Sequence, residues 1–270
     1  MDRAVAGGFL ADRIAYAFAA GYEAALQRLV PRLPQKTIVS LCVTESGGGH
    51  PRAIKTRLDK DPSGEGFTLT GEKTFITAAL QAEILMVAAS TGADSAGKNR
   101  IRMVLVNRGE KGVTITPMPD LPFVPEISHG VVSFAGVTVR EQDVLAGDGY
   151  TDYIKPFRTI EDIHVVGAVM GHLLRVAITF SWPKETCQGL LALIAAVRTL
   201  AAGDPRDPAV HLALAGLMTL FDRFITDIEP LWEKTDAPTC ERWARDRKLL
   251  SVAEKARQAR LSGAWSHYDF

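Results

Sequence analysis

The sequence predicts an α+β multidomain fold: an N-terminal helix, an antiparallel β-barrel-like middle domain and a C-terminal up-down four-helix bundle. Two switches of hydrophobic period carry this prediction. Apolar residues recur at helical spacing up to about residue 36, crowd into short β-rich runs to about residue 150, and return to helical spacing beyond it. No helical stretch separates the β-rich runs, so parallel βαβ units are not expected. The expected segments are 1–36, 37–150 and 151–270.

In the first segment Leu10, Ile14, Phe18, Tyr22, Leu26 and Leu29, with Ala17 and Ala25 between them, line one face of a helix over Phe9 to Val30. Pro31 and Pro34 end it, because the residue before a proline is pushed out of the helical region. The apolar stretch after Arg3 resembles a short signal core, but Asp12 and Arg13 interrupt it while the helical period runs on. No signal peptide is expected. Nor is any run expected to approach the length of a membrane span, and no membrane insertion is expected.

The middle segment reads as seven or eight strands: TIVSLCV, GFTLT, KTFIT, ILMVAAS, IRMVLV, VTITPM and HGVVSFAGVTV. Turn-formers separate them at Asp61–Gly66, Gly92–Gly97 and Asn107–Gly112. In the last segment Val210, Leu214, Leu217, Phe221, Phe224, Ile228 and Leu231 alternate by four and three, the seam of near-antiparallel helix packing. Further helices are expected over Thr159–Phe180, Lys184–Leu200 and Thr239–Leu261, with Thr239 as the N-cap of the last.

With 31 basic and 31 acidic side chains and 47% hydrophobic residues, the composition is globular and gives no reason to expect a nucleic-acid partner. Cys42, Cys187 and Cys240 are odd in number and far apart, so neither a disulfide framework nor a zinc site is expected. A reducing, cytoplasmic location fits.

Two motifs carry chemistry. The first is Cys42-Val43-Thr44-Glu45-Ser46-Gly47-Gly48-Gly49, where three consecutive glycines are costly to order and let backbone N–H groups approach phosphate oxygens. Its bland reading is a tight loop between strands. The second is Gly71-Glu72-Lys73-Thr74-Phe75-Ile76-Thr77. In that order, and with Ile54-Lys55-Thr56, Leu105-Val106, Val137-Thr138-Val139 and Asp143-Val144-Leu145 following, the chain resembles the acyl-CoA dehydrogenase family of flavoproteins. Its first motif is similar to the family's Thr-Glu-Pro-Gly-x-Gly-Ser loop, and its second to a Gly-x-Lys-x-[Trp/Phe]-Ile-Thr strand.

The resemblance implies FAD as cofactor, an acyl-CoA thioester as substrate, a place in fatty acid metabolism and a homo-oligomer. It places Thr44 at the isoalloxazine edge, Gly47, Gly48 and Gly49 against the pyrophosphate, and Phe75, Ile76 and Thr77 along the flavin's other side. Where the family's loop ends in Ser-Asp this chain has His50-Pro51. His50 either binds a substrate phosphate when protonated or crowds the site. The family's Arg-x-x-Phe-Gly segment corresponds to Phe180–Glu185, where Lys184 offers a point charge without the guanidinium fork.

Against that family the chain looks shortened at both ends. Residues 1–36 read as a remnant of the N-terminal helical domain, and the chain stops before the loop that supplies the catalytic glutamate in most members. Some branches take the base from the first helix of the bundle, and there Glu161 and Asp162 are the candidates for taking the α-proton. A solvated helix start is the plain reading of both. Glu161-x-x-His164 also matches one half of a di-iron carboxylate site, but its second half is missing and no metal is expected. His172 and His211 read as satisfied helix histidines. Two functions are expected in order: FAD-dependent α,β-dehydrogenation of an acyl-CoA thioester, or a non-catalytic homologue acting in binding or assembly.

Overall fold

Helix α1 (Asp2–Leu10) and helix α2 (Ile14–Leu29) stand where the periodicity predicts one helix. The backbone leaves the helical region at Ala11, at φ −71° and ψ 134°, and its N–H closes back onto the carbonyls of Gly7 and Gly8. Asp12 and Arg13 pair at 2.7 Å in the break. The computed structural model describes residues 1–62 and 64–268. The chain divides into two compact units, one of Met1–Leu29, Pro122–Glu126 and Phe157–Phe270, the other of Val30–Leu121 and Ile127–Pro156.

The helical unit is built on α3 (Lys155–Thr179), followed by α4 (Lys184–Ala202), α5 (Pro208–Asp227), α6 (Ala237–Asp246) and α7 (Glu254–Trp265). Helix α1 meets α3 backbone to backbone. A Cβ on Gly8 would lie 1.9 Å from the Ala168 carbonyl oxygen, and one on Gly171 would lie 2.3 Å from that of Val5. Only glycine permits that approach. The segment Pro122–Glu126 is fastened to these helices by polar bonds: Val124 N–H donates to buried Asp246 at 2.8 Å, and Glu126 accepts from both Arg13 and Arg245. Trp182, Trp232 and Trp243 form a buried cluster, the last two stacked at 4.7 Å between centroids.

The expected helix over Thr239–Leu261 is instead α6, a 3-10 stretch over Arg247–Ser251, and α7. Its cap lies earlier than expected. Asp236 accepts from the Thr239 N–H at 2.7 Å, and Pro238 falls in the first turn, where its missing N–H costs nothing.

The β unit has seven strands among the described residues: β1 (Val39–Cys42), β2 (Arg57–Lys60), β3 (Phe67–Thr77), β4 (Ile84–Ala93), β5 (Asn99–Asn107), β6 (Val113–Pro117) and β7 (His129–Val139). Their order is β1-β4-β2-β3-β7-β6, with β5 also on β4. The pairs β2–β3, β3–β7, β4–β5 and β6–β7 are antiparallel as expected. β1 and β2 run parallel to β4, so the sheet is mixed. Alternate residues of these strands, among them Leu69, Leu85, Val87, Val104, Val132 and Phe134, close one core. Strand β2 escapes sequence reading because Arg-Leu-Asp-Lys offers a single apolar residue.

Three helical stretches, Gly149–Thr179, Lys184–Ala202 and Pro208–Asp227, are long and apolar enough to cross a membrane by length and composition. This corrects the expectation that no run reaches that length. The reason is that α4 and α5 carry few charges on any face, and a reading of periodicity alone weighs only the buried one.

Candidate functional site

The glycine loop hangs on one buried ion pair. Lys73, fully buried on β3, donates from Nζ to Glu45 Oε1 at 2.7 Å and to the Val43 carbonyl at 3.3 Å. The same carboxylate accepts from the N–H groups of Lys55 and Thr56 at 2.8 and 3.0 Å, and from the Thr56 hydroxyl at 2.8 Å. Burial alone would raise the Glu45 pKa. The Lys73 ammonium and the two N–H groups outweigh it and hold the carboxyl below its ordinary value. Both ends of the loop are therefore clamped to the sheet by a single side chain. Sequence reading quoted Glu45 and Lys73 inside their motifs but did not pair them. Half the signal was there: Glu45 is a lone charge in an apolar and glycine-rich run, but Lys73 directly follows Glu72, and only the strand's alternation tells the inward side chain from the outward one.

Between the clamps Glu45 and Gly48 exchange backbone hydrogen bonds of 3.2 and 2.8 Å around a tight turn, with Gly48 at φ +98°. A side chain at Gly48 would be strained, which answers why glycine sits there. Among the described residues the N–H groups of Ser46, Gly47 and Gly49 meet no protein acceptor. Thr44 turns its carbonyl to the Thr74 N–H at 2.8 Å, and its hydroxyl faces Gly49.

Strand β3 then changes register. Pairing with β7 slips between Lys73 and Ile76, and Phe75 sits in the slip at φ +57°. In a regular strand Phe75 would point inward with Lys73. The left-handed residue turns it out, so it is 58% exposed while Ile76 enters the core. A bulky residue with positive φ costs about 1 kcal/mol or more and marks sites where the surroundings impose the geometry. Ile76 was expected to line a cofactor. Its side chain belongs to the core, and only its backbone is left for that role. Thr77 is partly exposed, with its hydroxyl 3.5 Å from His129 Nε2, and its carbonyl accepts from Ser40 at 2.7 Å. Burial holds His129 below its ordinary pKa.

His50 caps the short helical turn Pro51–Ala53: its Nδ1 accepts from the Arg52 N–H at 3.3 Å. An accepting Nδ1 is unprotonated, so the cap competes with the cationic ring expected to meet a phosphate.

In the helical unit α3 carries the expected acids on neighbouring faces. Asp162 is buried and ion-paired with Arg257 at 3.0 Å and with Arg260, both from α7. Glu161 is largely buried and has no such pair among the described residues. Burial first, then the Asp162 charge, pushes its carboxyl up to about 7. Burial thus shifts the Glu161 carboxyl toward neutrality, and the two ion pairs make Asp162 an anchor for α7. His164 donates from Nδ1 to the Ile160 carbonyl at 2.7 Å, and burial pushes it down to about 4, so it is neutral. His172 meets the Ala11 carbonyl and His211 the Pro205 carbonyl. Among the described residues no group of three or more His, Cys, Asp or Glu side chains is disposed to hold a metal ion.

Residues 40–137 match the family model described as "Acyl-CoA dehydrogenase, middle domain". The very long-chain specific acyl-CoA dehydrogenase of Homo sapiens mitochondria is 31% identical over 138 residues, 48% of this chain and 21% of that protein. The short/branched chain specific enzyme of Rattus norvegicus mitochondria is 32% identical over 133 residues, 48% of this chain and 30% of that protein. The matched stretch thus spans less than a third of these curated relatives. Among solved structures, butyryl-CoA dehydrogenase from Megasphaera elsdenii superposes with a TM-score of 0.68 at 16% identity, covering 93% of this chain and 78% of that one. FMN-bound TdsC from Paenibacillus sp. A11-2 superposes with 0.71 at 17% identity, covering 94% and 80%. At that identity the superpositions establish the fold alone.

Proposed function

We propose that this chain, whose residues 40–137 match the middle domain of acyl-CoA dehydrogenases, binds FAD and removes hydrogen from the α and β carbons of an acyl-CoA thioester. The observation that carries the proposal is Phe75, an aromatic ring held outward by strained backbone next to the clamped glycine loop. Thr44, Gly47, Gly48, Gly49, Phe75 and Thr77 would hold the cofactor, with Ile76 contributing backbone only. Bound FAD supplies the acceptor for the hydride that leaves the β-carbon. The chain's own part is to take the α-proton onto the Glu161 carboxylate, whose pKa near 7 suits transfer at neutral pH. Asp162 drops out of that role because two arginines hold it.

The second reading, a non-catalytic homologue in binding or assembly, is favoured by the loop's far end. His50 is spent on the Arg52 N–H and Pro51 has no N–H, so that corner offers a phosphate fewer donors. The visible spectrum of the purified protein, with and without added FAD, separates the two. Flavin bands that bleach anaerobically with an acyl-CoA thioester, and persist in Glu161→Gln, support the dehydrogenase. A colourless protein that takes up no FAD would leave only the second reading.

A further inference from the structure

A cavity of about 190 Å³ between the end of α3 and the start of α6 holds more positive charge than the folded chain uses. Its walls are Arg175, Val176 and Phe180 at the end of α3, Asp12 at the α1–α2 break, and Asp236 and Arg242 at α6. Arg175 donates from Nη1 to the Ala11 carbonyl at 3.1 Å, and Arg242 from Nη2 to the Thr239 hydroxyl at 3.2 Å. Both acceptors are neutral. Both arginines are half-buried, and among the described residues neither forms an ion pair. The Nε of Arg242 is buried outright and meets no acceptor among the described residues. The acids at the rim are already engaged: Asp12 accepts twice from Arg13, at 3.0 and 2.7 Å, and Asp236 caps α6. The fields of the two guanidinium groups meet at His172. Burial is the first cause of its lowered pKa, and the charges of Arg175 and Arg242 push the same way against its bond to the Ala11 carbonyl.

We propose that this cavity binds a small organic anion, a monocarboxylate with a short apolar tail. An arginine cannot shed its charge, so one withdrawn from water is ordinarily paired. Two that share one cavity without a carboxylate between them define the missing group. The guanidinium fork matches a carboxylate through two parallel N–H···O bonds, and each fork here keeps most of its donors. Thr239 accepts from Arg242, so its own hydroxyl proton is left to donate to the ligand. Val176 and Phe180 give the tail an apolar wall that inorganic phosphate could not use. A cavity of about 150 Å³ takes up benzene, so this one has room for a carboxylate carrying roughly three to five further carbons. Every wall residue belongs to the helical unit, whereas the proposed flavin contacts belong to the β unit, so neither reading depends on the other.

Isothermal titration of the full chain with sodium butanoate, at fixed ionic strength, tests the site. The expected result is saturable binding that neither butan-1-ol nor sodium chloride reproduces. Arg175→Gln and Arg242→Gln should each weaken it about tenfold or more, the loss of a charge-assisted contact. Circular dichroism shows whether each variant folds. Where one does not, Arg175→Lys or Arg242→Lys keeps the charge, loses the fork and should weaken binding in the same direction. No saturable heat with butanoate, or undiminished binding in both folded variants, would overturn the site. Inorganic phosphate bound in preference to butanoate would overturn the carboxylate assignment, and displacement of butanoate by FAD would give the cavity to the cofactor instead.

Discussion

The ammonium of Lys73 stands 2.7 Å from the Glu45 carboxylate inside the β unit, and through that contact the strand that displays Phe75 also fixes the root of the glycine loop. Removing one partner strands the other in a dry site. Lys73→Met and Glu45→Ala are each expected to cost about 3–5 kcal/mol in urea unfolding. Glu45→Ala should sit at the upper end because it also orphans the Lys55 and Thr56 N–H groups. Glu45 is held below its ordinary pKa, so its contribution is present above the unfolded value near pH 4.3 and is lost as pH falls through the folded one. An acid titration of stability that is unchanged in Glu45→Ala would refute the assignment.

Phe75 trades stability for display. Glycine accepts φ +57° without a Cβ penalty, so Phe75→Gly is expected to raise unfolding stability by about 1 kcal/mol. The same variant should bind FAD more weakly, read by fluorescence titration. A variant both less stable and unaltered in flavin uptake would assign Phe75 to packing.

Glu161 has its pKa raised, so the sign is opposite to that of Glu45. Its contribution is present below the unfolded value near pH 4.3 and is lost as pH rises through about 7. Between those limits wild type should lose roughly 2–3 kcal/mol that Glu161→Gln does not lose. Parallel stability curves for the two proteins would show an ordinary, solvated carboxylate.

Asp162 anchors α7, a helix with only Ala264 fully inside. Asp162→Asn leaves Arg257 and Arg260 without their charge partner and is expected to loosen α7 by about 3 kcal/mol. Limited trypsin digestion should then cut within Lys255–Arg260 well before the rest of the chain. Equal digestion of variant and wild type would mean that α7 is held by other contacts.

Much of this was legible because period and punctuation agree. The shift from helical spacing to short runs marks the β strands, and the four-and-three seam marks α5, because both patterns are dictated by which face meets a core. The glycine loop and its strand were legible as motifs. Three things were not. The break at Ala11–Arg13 leaves the apolar period intact, so α1 and α2 read as one helix. The register slip at Phe75 depends on one backbone angle, and no composition signals which residue of Thr74-Phe75-Ile76 turns outward. Asp162 looked as acidic and as helix-initial as Glu161, and only arginines nearly a hundred positions later tell them apart.

All four tryptophans fall in the helical unit, three in the Trp182–Trp232–Trp243 cluster and Trp265 on α7. Intrinsic emission therefore reports melting of the helices and is silent about the sheet. Rings stacked 4.7 Å apart at 13° share their excited states, so the near-ultraviolet dichroism should carry a strong paired band. That band would vanish when the helical unit loosens, while flavin bound at the glycine loop would mark the β unit in the visible. One sample, two colours, and each compact unit can be watched coming apart on its own.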